Sequence, residues 1–323
     1  MKPKILVVGS FVMDLIVTAE RFCNAGETVI GNGFSTAPGG KGANQAVQAA
    51  RLGADVTMVG KVGNDDFGKR LIDSAKQSGV NTDYVFVTDA APSAVGNVQI
   101  QKNSSGTENR IIVVPGANNE LTVDDVAFLE KNISEYDIVI LQHEIPKEVN
   151  CKVAAYAKAE NVPVMLNPAP SAEVPAELIS CLTYISPNEH EAEDITGIKP
   201  GGDGAVGKAA AALHGMGVKN VLITLGKEGC AFSDVACLKT SPSINIAPTV
   251  APTAAGDSFI GAFCTAVSAG IDTENSLVFA NCTAGITVSR MGAQTSLPTF
   301  TEVMAAMEDK GLNIKPFDVL RSE

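Results

Sequence analysis

The sequence predicts an α/β fold: a three-layer α/β/α body with a mainly parallel central sheet, plus a small antiparallel β-sheet lid. Two patterns predict it. Apolar, β-branched runs alternate with helical patterns along most of the 323 residues, and two segments break that alternation with strands alone. The composition agrees, because 45% hydrophobic residues with only 5% aromatics suit helices packed closely on a buried sheet.

The predicted strands are continuously apolar rather than alternating, which is typical of parallel strands covered on both faces. They are KILVVGS (4–10), DVTMVGKVG (55–63), DIVILQ (137–142), VPVMLN (162–167), TYISPN (183–188) and NVLITLG (220–226). The predicted helices between them are ANQAVQAARLG (43–53), DFGKRLIDSAKQSG (66–79) and KAAAALHGMG (208–217). Beyond residue 256 the chain is predicted to be almost wholly helical.

Two segments, about 11–36 and 94–114, read as strands and hairpins with no helix between them. We expect them to form the lid, inserted in a single domain that spans residues 1–323. No internal repeat or low-complexity linker divides the chain.

Charge and cysteine usage exclude several classes of function. The formal net charge of -12 repels phosphate backbones, so nucleic acid is not an expected partner. Seven scattered cysteines without a C-x-x-C pair, and only three histidines, argue against a structural zinc site and a disulfide framework. Without a signal-peptide pattern or a membrane-spanning run, we expect a cytoplasmic protein with no membrane partner.

One glycine pattern resembles a dinucleotide-binding fingerprint. GGDGAVG (201–207) contains G-x-G-x-x-G, but it follows IKP rather than a strand. The better interpretation is a loop that leads into the helix at 208–217. If the pattern did bind a dinucleotide, the protein would belong to a different class of enzyme, a dinucleotide-dependent oxidoreductase, and we keep this as an alternative.

The segment APGGKGANQA (37–46) is more informative. Its glycines allow close backbone approach to a ligand, although it is not a Walker A loop. Gly40 precedes a helix start, Lys41 supplies a cation, and Asn44 supplies an amide that can bridge two hydroxyls. The segment predicts a polyol or phosphate site; a tight turn with a capping Asn is the alternative.

Two acids follow predicted strands among apolar residues. Asp14 lies in GSFVMDLI (9–16) and Glu144 lies in LQHEIP (141–146). Each is interpreted either as a strand-end charge or as an acceptor for a ligand hydroxyl.

The segment SPNEHEAEDITG (186–197) opens a predicted helix. Asn188 and Glu191 are three residues apart, so they share one helix face. Glu191 is either part of an ordinary acidic first turn or a ligand, through water, of Mg²⁺ near nucleotide phosphates.

The segment PTAAGDSFIGAF (252–263) places small residues and one acid at a helix start. The N–H groups of Ala254, Ala255 and Gly256 form an anion-binding geometry there. Asp257 beside that anion hole makes sense as a general base next to a transferring phosphoryl group. A simple N-cap Asp is the alternative.

Taken together, these segments resemble the ribokinase branch of the PfkB carbohydrate kinase family. The match runs from GSFVMD (9–14) to GAQTSLP (292–298), and PGGKGANQA (38–46) and PTAAGDSFIGAF are similar to its two signatures. The segments between them fall in the family's order: NPAP (167–170), PNEHEAE (187–193), TLGKEG (224–229) and VSRMGAQTS (288–296).

The resemblance implies an ATP-dependent kinase that phosphorylates the primary hydroxyl of a pentose, and a lid that commonly mediates homodimers. Asp257 would be the base, and the Ala254–Asp257 N–H groups would stabilise the transferred phosphoryl. Sugar contacts would come from Asp14, Gly40, Lys41, Asn44 and Glu144. The nucleotide site would be lined by Asn188, Thr224, Gly226, Gly229 and Asn281, and Glu191 would act through Mg²⁺-bound water.

Two departures from the family pattern stand out. Val12 replaces an Asn, and a buried sugar hydroxyl left unpaired costs about 1–3 kcal/mol, so 2-deoxyribose or another sugar or nucleoside is an alternative to ribose. Ala251 replaces an Asp that helps to bind K⁺. K⁺ binding is therefore expected to be weak, through the remaining ligands Thr253, Thr287, Arg290, Gly292 and Ser296.

The residues leave two further functions to be tested against a kinase. One is the oxidoreductase that would use residues 201–207. The other is a catalytically silent sugar-binding regulator on a kinase fold, against which the intact Asp257 and its anion hole argue.

Overall fold

The computed structural model describes residues 2–103, 106–202, 204–251 and 253–321, and they form two separate β-sheets. The strands are β1 Lys4–Val8, β2 Val12–Ala19, β3 Gly33–Gly39, β4 Asp55–Gly63, β5 Asn81–Thr88, β6 Val95–Asn103, β7 Gly106–Val114, β8 Ile138–Gln142, β9 Val164–Asn167, β10 Tyr184–Ile185, β11 Asn220–Thr224, β12 Cys230–Ser233 and β13 Leu238–Ser241.

Ten α-helices and four 3₁₀ turns accompany these strands in the described ranges. The helices are α1 Lys41–Arg51, α2 Asp66–Gln77, α3 Leu129–Asn132, α4 Lys147–Ala159, α5 Ala176–Ile179, α6 Glu189–Thr196, α7 Ala205–Gly215, α8 Ala255–Ser268, α9 Thr273–Val288 and α10 Phe300–Asp309. The 3₁₀ turns are Gly116–Glu120, Ile133–Glu135, Gly226–Glu228 and Lys315–Leu320. No described helix is long and apolar enough to cross a membrane.

The large sheet has nine strands in the order β13-β12-β11-β10-β9-β8-β1-β4-β5. Its seven strands from β11 to β5 pair in parallel, and β12 and β13 add an antiparallel edge. The predicted strands and helices all form, and β4 has the predicted bounds of 55–63. The predicted α/β fold class is confirmed.

The apolar runs are continuous because both faces of the large sheet are covered. In β1, Ile5 and Val7 belong to a core shared with α1, α8, α9 and α10, whereas Leu6 and Val8 belong to a core shared with α4, α5 and α7. Successive side chains of a strand point to opposite faces, so one run serves two cores. These two cores make the three layers.

The second sheet has four strands in the order β3-β2-β6-β7. Its outer pairs are antiparallel, as predicted, but the central pair of β2 and β6 is parallel. The parallel pair arises because β2 and β6 both leave the body at the same end, from connections far apart in the chain. β3 also continues to Gly39, past the predicted boundary at residue 36. Residues 104 and 105 of the predicted lid lie outside the described residues.

The strand order reverses beside β1. The chain proceeds from β1 to β4 and β5 on one side, and from β8 to β9, β10 and β11 on the other. In open α/β sheets a ligand crevice forms at such a switch point, outside the carboxyl ends of the strands. The residues that follow β1 and β8 therefore lie where a binding site is expected.

Candidate active site

Asp257 lies in the first turn of α8, with only 7% of its surface exposed. The Nδ2 atom of Asn44 donates to its Oδ2 at 2.9 Å, and the Nε2 atom of Gln45 donates to its Oδ1 at 3.0 Å. Both donors come from the first turns of α1, so the contact joins the start of the chain to its C-terminal helices. The N-cap of α8 is Ala254, not Asp257, so the capping interpretation of Asp257 is wrong.

The N-terminus of α8 offers unused hydrogen-bond donors next to this carboxylate. The first N–H groups of a helix have no partner within it, and in the described residues those of Ala254–Asp257 donate to no backbone oxygen. Ala254 has a left-handed φ of 60°, which is costly for a residue with a Cβ atom. Donors and helix dipole together make an anion site beside Asp257.

Lys41 begins α1 and is half-buried between acidic side chains. Burial disfavours its charge, but three carboxylates outweigh that effect and raise the pKa of Lys41; they belong to Asp257, Glu144 and Glu191. The ammonium is therefore a permanent cation in the centre of the site. In a chain with a net charge of -12, it supplies the local attraction that an anionic substrate needs.

Glu144 follows β8 and reaches across to the residues that follow β1. Its Oε2 atom accepts a hydrogen bond from the Ser10 hydroxyl at 2.5 Å and another from the backbone N–H of Lys41 at 2.9 Å. This geometry excludes a free strand-end charge. Glu144 holds the first turn of α1 against the switch point of the sheet.

Asn44 presents an unused acceptor in this site. Its Nδ2 atom is committed to Asp257, while its Oδ1 atom is buried without a hydrogen-bond partner in the described residues. The N-cap of α1 is Gly40, so the alternative of a turn capped by Asn44 is wrong. A buried acceptor without a donor indicates a ligand donor such as a hydroxyl group.

Asp14 lies on β2 in the second sheet, enclosed by two glycines. A Cβ atom on Gly96 would lie 2.4 Å from Asp14 Oδ1, and one on Gly39 would lie 2.9 Å from Oδ2. Burial, and then the neighbouring Glu144 carboxylate, raise the pKa of Asp14 to about 6. Asp14 therefore belongs to the same electrostatic site as Glu144.

Glycines bring the backbone of α1 close to the turn between β1 and β2. Gly40 has a φ of 94°, and a Cβ atom there would lie 2.8 Å from the backbone N of Val12. A Cβ atom on Gly42 would lie 2.5 Å from the backbone N of Ser10. The GGKG pattern is thus explained by close packing of two backbones, which positions Lys41 and Asn44.

Asn188 and Glu191 form a reciprocal capping box at the start of α6. The Oδ1 atom of Asn188 accepts from the Glu191 N–H at 2.9 Å, and Glu191 Oε2 accepts from the Asn188 N–H at 2.9 Å. Burial raises the pKa of Glu191, and the repulsion of Asp257 adds to this effect. Together they outweigh the hydrogen bond from the Asn188 N–H and the attraction of Lys41, both of which lower that pKa. The carboxylate therefore caps a helix and also lies close enough to the active site to interact with Asp257.

The residues predicted for the nucleotide lie at the carboxyl end of β11 and on α9. Thr224 ends β11 and pairs with Asn188, and its N–H donates to Pro187 O at 3.0 Å. Gly226 and Gly229 have positive φ values, and a Cβ atom on Gly229 would lie 2.2 Å from the Ser241 carbonyl oxygen.

Asn281 lies on α9 with 5% of its surface exposed. Its Nδ2 atom donates to the hydroxyl of Ser241 at 3.0 Å. This contact ties α9 to the antiparallel edge of the large sheet. The structure therefore gives Asn281 a packing role in addition to the predicted nucleotide contact.

The segments predicted to bind K⁺ lie together, but several of their oxygen atoms already take part in internal hydrogen bonds. Val288 O accepts from the N–H groups of Val250 and Ala251 at 2.8 and 3.1 Å, which brings 250–251 against the end of α9. Thr287 O accepts from the Arg290 N–H. The other predicted ligands are Thr253, which is exposed, Gly292, with a φ of 98°, and Ser296, whose hydroxyl donates to Ala293 O.

The described residues hold no group of three or more His, Cys, Asp or Glu side chains arranged to bind a metal ion. Without a carboxylate at Ala251, the oxygen atoms of the described residues 250, 251, 253 and 287–296 do not fit a strong K⁺ site. A single water-mediated carboxylate, such as Glu191, does fit Mg²⁺, which keeps several of its waters.

In the glycine pattern at 201–207, Gly204 is the N-cap of α7, so residues 205–207 form the first turn of this helix, which begins earlier than the predicted residue 208. The pattern follows α6 and a loop rather than a strand, which agrees with the sequence interpretation. Asp203 lies outside the described residues.

Gln45 and Asn167 contribute to the site but were not singled out from the sequence. Besides its bond to Asp257, the Nε2 atom of Gln45 donates to Asn167 Oδ1 at 3.1 Å. A polar residue inside a helix gives no local signal that it is buried. Its position beside Asn44 in the signature segment is the only hint that the sequence offers.

The comparison with family models decides the class of protein. The model described as pfkB family carbohydrate kinase matches residues 2–300. The chain belongs to the pfkB family of carbohydrate kinases. This confirms the resemblance inferred from the signature segments, and it identifies the protein as a kinase.

Curated relatives in the pfkB family cover nearly the whole chain. Ribokinase of Bacillus subtilis (strain 168) is 40% identical over 299 residues, which are 93% of this chain and 97% of that protein. Ribokinase of Mus musculus is 37% identical and covers 91% of each chain.

Solved structures of pfkB kinases share the fold. Arabidopsis thaliana ribokinase complexed with ribose and ATP superposes with a TM-score of 0.87 at 34% identity, over 95% of this chain and 99% of the other. Ribokinase from Thermotoga maritima gives a TM-score of 0.84 at 35% identity, over 94% and 99% of the two chains.

Proposed function

We propose that this pfkB-family kinase transfers the γ-phosphoryl group of ATP to the 5-hydroxyl of D-ribose. The observation that carries the proposal is the buried Asp257, held by two amides beside the free N–H groups of α8 and close to Lys41. The Arabidopsis structure, with its ribose and ATP, supports the choice of substrates.

Asp257 is proposed as the general base. It accepts the proton of the 5-hydroxyl while that oxygen forms a bond to the γ-phosphorus, and the bond from that phosphorus to ADP breaks. The N–H groups of Ala254, Ala255, Gly256 and Asp257 stabilise the charge on the transferred phosphoryl group, assisted by Lys41. Most of the catalysis in phosphoryl transfer comes from such positioning and charge stabilisation.

The sugar is proposed to bind at the switch point, between the second sheet and the large sheet. Its hydroxyl groups are held by Asp14, Gly40, Lys41, Asn44 and Glu144. The unpartnered Oδ1 atom of Asn44 supports this assignment, because it lacks a donor that a hydroxyl supplies. We also propose that the second sheet acts as the lid of one kinase domain.

The nucleotide is proposed to bind along the ends of β10 and β11. Its site is lined by Asn188, Thr224, Gly226, Gly229 and Asn281. Bound Mg²⁺ supplies positive charge that neutralises the phosphates. Glu191 is proposed to hold that ion through water, since its Oε1 atom has no hydrogen-bond partner among the described residues.

A second candidate substrate is 2-deoxyribose. Val12 is buried at the start of β2, two residues before Asp14, and offers no hydrogen bond to a sugar hydroxyl. A sugar without the corresponding hydroxyl would avoid an unpaired polar group there.

An ADP-release assay over ribose, 2-deoxyribose, other pentoses, hexoses and nucleosides tests the proposal. We expect the highest kcat/KM with ribose; a preference for 2-deoxyribose would transfer the assignment to the second candidate. No sugar-dependent ADP release would overturn it. Saturable NAD(H) binding in the same preparation would instead support the oxidoreductase, and sugar binding without turnover would support the silent regulator.

We predict that kcat/KM for the sugar falls with decreasing pH through about 6. Above that pH Asp14 is ionised and both of its oxygens accept from hydroxyls, whereas below it one oxygen carries a proton and acts as a donor instead. Asp14→Asn should raise the sugar KM at pH 7 and abolish this limb of the profile. If kcat/KM of this variant still fell below about pH 6, the group that titrates would not be Asp14.

The same pKa shift predicts a gain in stability for Asp14→Asn. A folded pKa raised from 3.8 to about 6 means that the folded state binds the proton more tightly, so the free energy of unfolding falls as pH rises from about 4 to 6. Above pH 6 the ionised group thus costs at most about 3 kcal/mol. Thermal unfolding at pH 7 should show a higher midpoint for Asp14→Asn, and at pH 4 little difference.

We predict that K⁺ does not activate the enzyme appreciably. Ala251 has no carboxylate to bind the ion, and several of the neighbouring oxygen atoms already take part in hydrogen bonds within the protein. Activity should be equal in Na⁺ and K⁺ buffers of equal ionic strength. Ala251→Asp is expected to introduce activation by K⁺, and strong activation of the unaltered protein would contradict the prediction.

We propose that the protein is a homodimer through the second sheet. Its edge strand β7 exposes apolar side chains on both of its faces, Ile111, Ile112, Val113 and Val114, and Phe34 on β3 is 70% exposed. Apolar rows of this size on a sheet indicate a protein interface. The resemblance to the family implies the same role.

Light scattering is expected to give about twice the chain mass of 33.4 kDa, and Ile112→Glu should reduce it to one chain. Val235→Glu is the control, because Val235 is 83% exposed between β12 and β13 at the far edge of the large sheet. A monomeric unaltered protein would contradict the proposal.

A cytoplasmic location is also proposed. All seven cysteines are free thiols, which suits a reducing compartment. Cys264 and Cys282 are buried hydrophobes on α8 and α9, in line with the sequence interpretation.

A further inference from the structure

We propose that Gln45 is a positioning residue that fixes the orientation of the Asp257 carboxylate for proton transfer. The inference rests on the proposed kinase function, and it concerns a fully buried residue that would act through Asp257 rather than on the sugar or the nucleotide. Asn44 and Gln45 divide the carboxylate between them, one amide to each oxygen.

The amide of Gln45 has a single possible orientation. Its Nε2 atom faces two acceptors, Asp257 Oδ1 at 3.0 Å and Asn167 Oδ1 at 3.1 Å, while its Oε1 atom accepts from Gln142 Nε2 at 2.8 Å. A flipped amide would place an oxygen against two oxygens and a nitrogen against a donor. The network therefore defines which atom meets Asp257.

The partners of Gln45 are themselves anchored to the large sheet. Gln142 ends β8, and its backbone oxygen accepts from Asn150 Nδ2 at 2.7 Å. Asn167 ends β9, and its Nδ2 donates to Ser186 O at 3.0 Å. The amide that holds the base is thus connected to three neighbouring strand ends, which are rigid parts of the fold.

Burial makes this geometry strict. Gln45 and Gln142 are fully buried, so water cannot replace a lost hydrogen bond without opening the core. A carboxylate held at both oxygens keeps its plane fixed relative to α8. Misplacement of a reacting group by about 1 Å can lower the rate about 100-fold, so loss of the contact from Gln45 is expected to lower kcat.

The charged groups that face Asp257 come from three elements. Lys41 lies on α1, Glu191 lies on α6, and Glu144 follows β8 and acts on Lys41. A carboxylate introduced at position 45 would lie closer to Asp257 than any of these acids, within hydrogen-bond distance. Two carboxylates at that separation share a proton, so one of them titrates at a raised pKa.

Two variants test the inference with the full-length protein and the sugar it phosphorylates best. Gln45→Met removes the amide and is expected to lower kcat about 10- to 100-fold with little change in the KM for sugar or ATP. Gln45→Glu is expected to shift the acid limb of the kcat–pH profile upward by more than about one pH unit, with kcat partly recovered at high pH.

Gln48→Met is the matched control. Gln48 is equally buried one turn later on α1, but its Nε2 atom donates to Pro298 O at 2.9 Å, away from Asp257. We expect the two methionine variants to lose similar stability in thermal unfolding, and only Gln45→Met to lose kcat. Equal kcat values in both variants, together with an unshifted pH profile for Gln45→Glu, would overturn the inference.

The outcome separates this inference from the proposed function. If the unaltered protein releases no ADP with any sugar, the proposed function fails and the role of Gln45 fails with it. If the unaltered protein is active and the two glutamine positions behave alike, only the role of Gln45 fails. Should Gln45→Glu not fold, the methionine pair still decides.

Discussion

Asp257→Asn is expected to lower kcat about 10²- to 10⁴-fold, the range typical for loss of a general base. The amide cannot accept the proton of the sugar hydroxyl, although it occupies nearly the same space. ATP binding, measured by calorimetry without sugar, should change little, because the N–H groups of α8 remain. Near-normal turnover would show that Asp257 is not the base.

The substitution is also expected to reduce stability. Both carboxylate oxygens accept from amides, Asn44 on one and Gln45 on the other, so an asparagine leaves one buried donor opposite its own NH₂ group. An unsatisfied buried donor costs about 1–3 kcal/mol. Activity should therefore be measured well below the unfolding midpoint of the variant.

Asp272→Asn provides the control for an acid at a helix start. Asp272 is the N-cap of α9, where its side chain accepts from the Asn275 N–H at 3.0 Å. Asn caps helices about as well as Asp, so this change should leave both kcat and stability nearly unaltered. A comparable loss of kcat in both variants would point to a general structural effect.

Gly42→Ala is expected to be a strongly damaging small substitution in the signature segment. The added Cβ atom would lie 2.5 Å from Ser10 N and 2.8 Å from Gly9 C, both backbone atoms that cannot rotate away. Overpacking of this kind costs about 1–3 kcal/mol or more. It should also displace the first turn of α1, so kcat/KM should fall together with the unfolding midpoint.

Gly207→Ala is the matched control for that substitution. Gly207 lies within α7, and its added Cβ atom would meet only Leu238 Cδ2, at 3.5 Å. Alanine there should stabilise the helix by up to about 1 kcal/mol without changing activity. If Gly42→Ala were equally harmless, the close backbone packing would have no functional consequence.

Six of the nine strands of the large sheet could be predicted from the sequence because their signal is local, whereas β5, β12 and β13 were not predicted. β4 carries Val56, Met58, Val59 and Val62, is buried over most of its length, and occupies the predicted bounds. The direction of pairing in the second sheet carries no such signal. β2 meets β6 only because both leave the body at the same end, a property of the complete fold.

The candidate site could be predicted only where its charged residues lie in short segments of unusual composition. Asp257 and Lys41 stand out because a charge among glycines and apolar residues is unusual, and the structure brings them together. Gln45 was not predictable, because two of its hydrogen-bond partners, the acceptor Asn167 and the donor Gln142, come from strand ends distant in the chain. The double role of Glu191 also required the structure, since spacing alone shows only a shared helix face.

The contact of Asp257 with Asn44 has a consequence for biosynthesis. It joins residues 213 positions apart, so closing it requires nearly the whole chain. Domains begin to fold from the N-terminus during synthesis, and long-range contacts form late. A nascent chain that has completed β1 to β11 holds the amides of Asn44 and Gln45 with no carboxylate to receive them. The kinase therefore acquires its proposed base only when α8 emerges from the ribosome, and we expect fragments that end before α8 to be inactive.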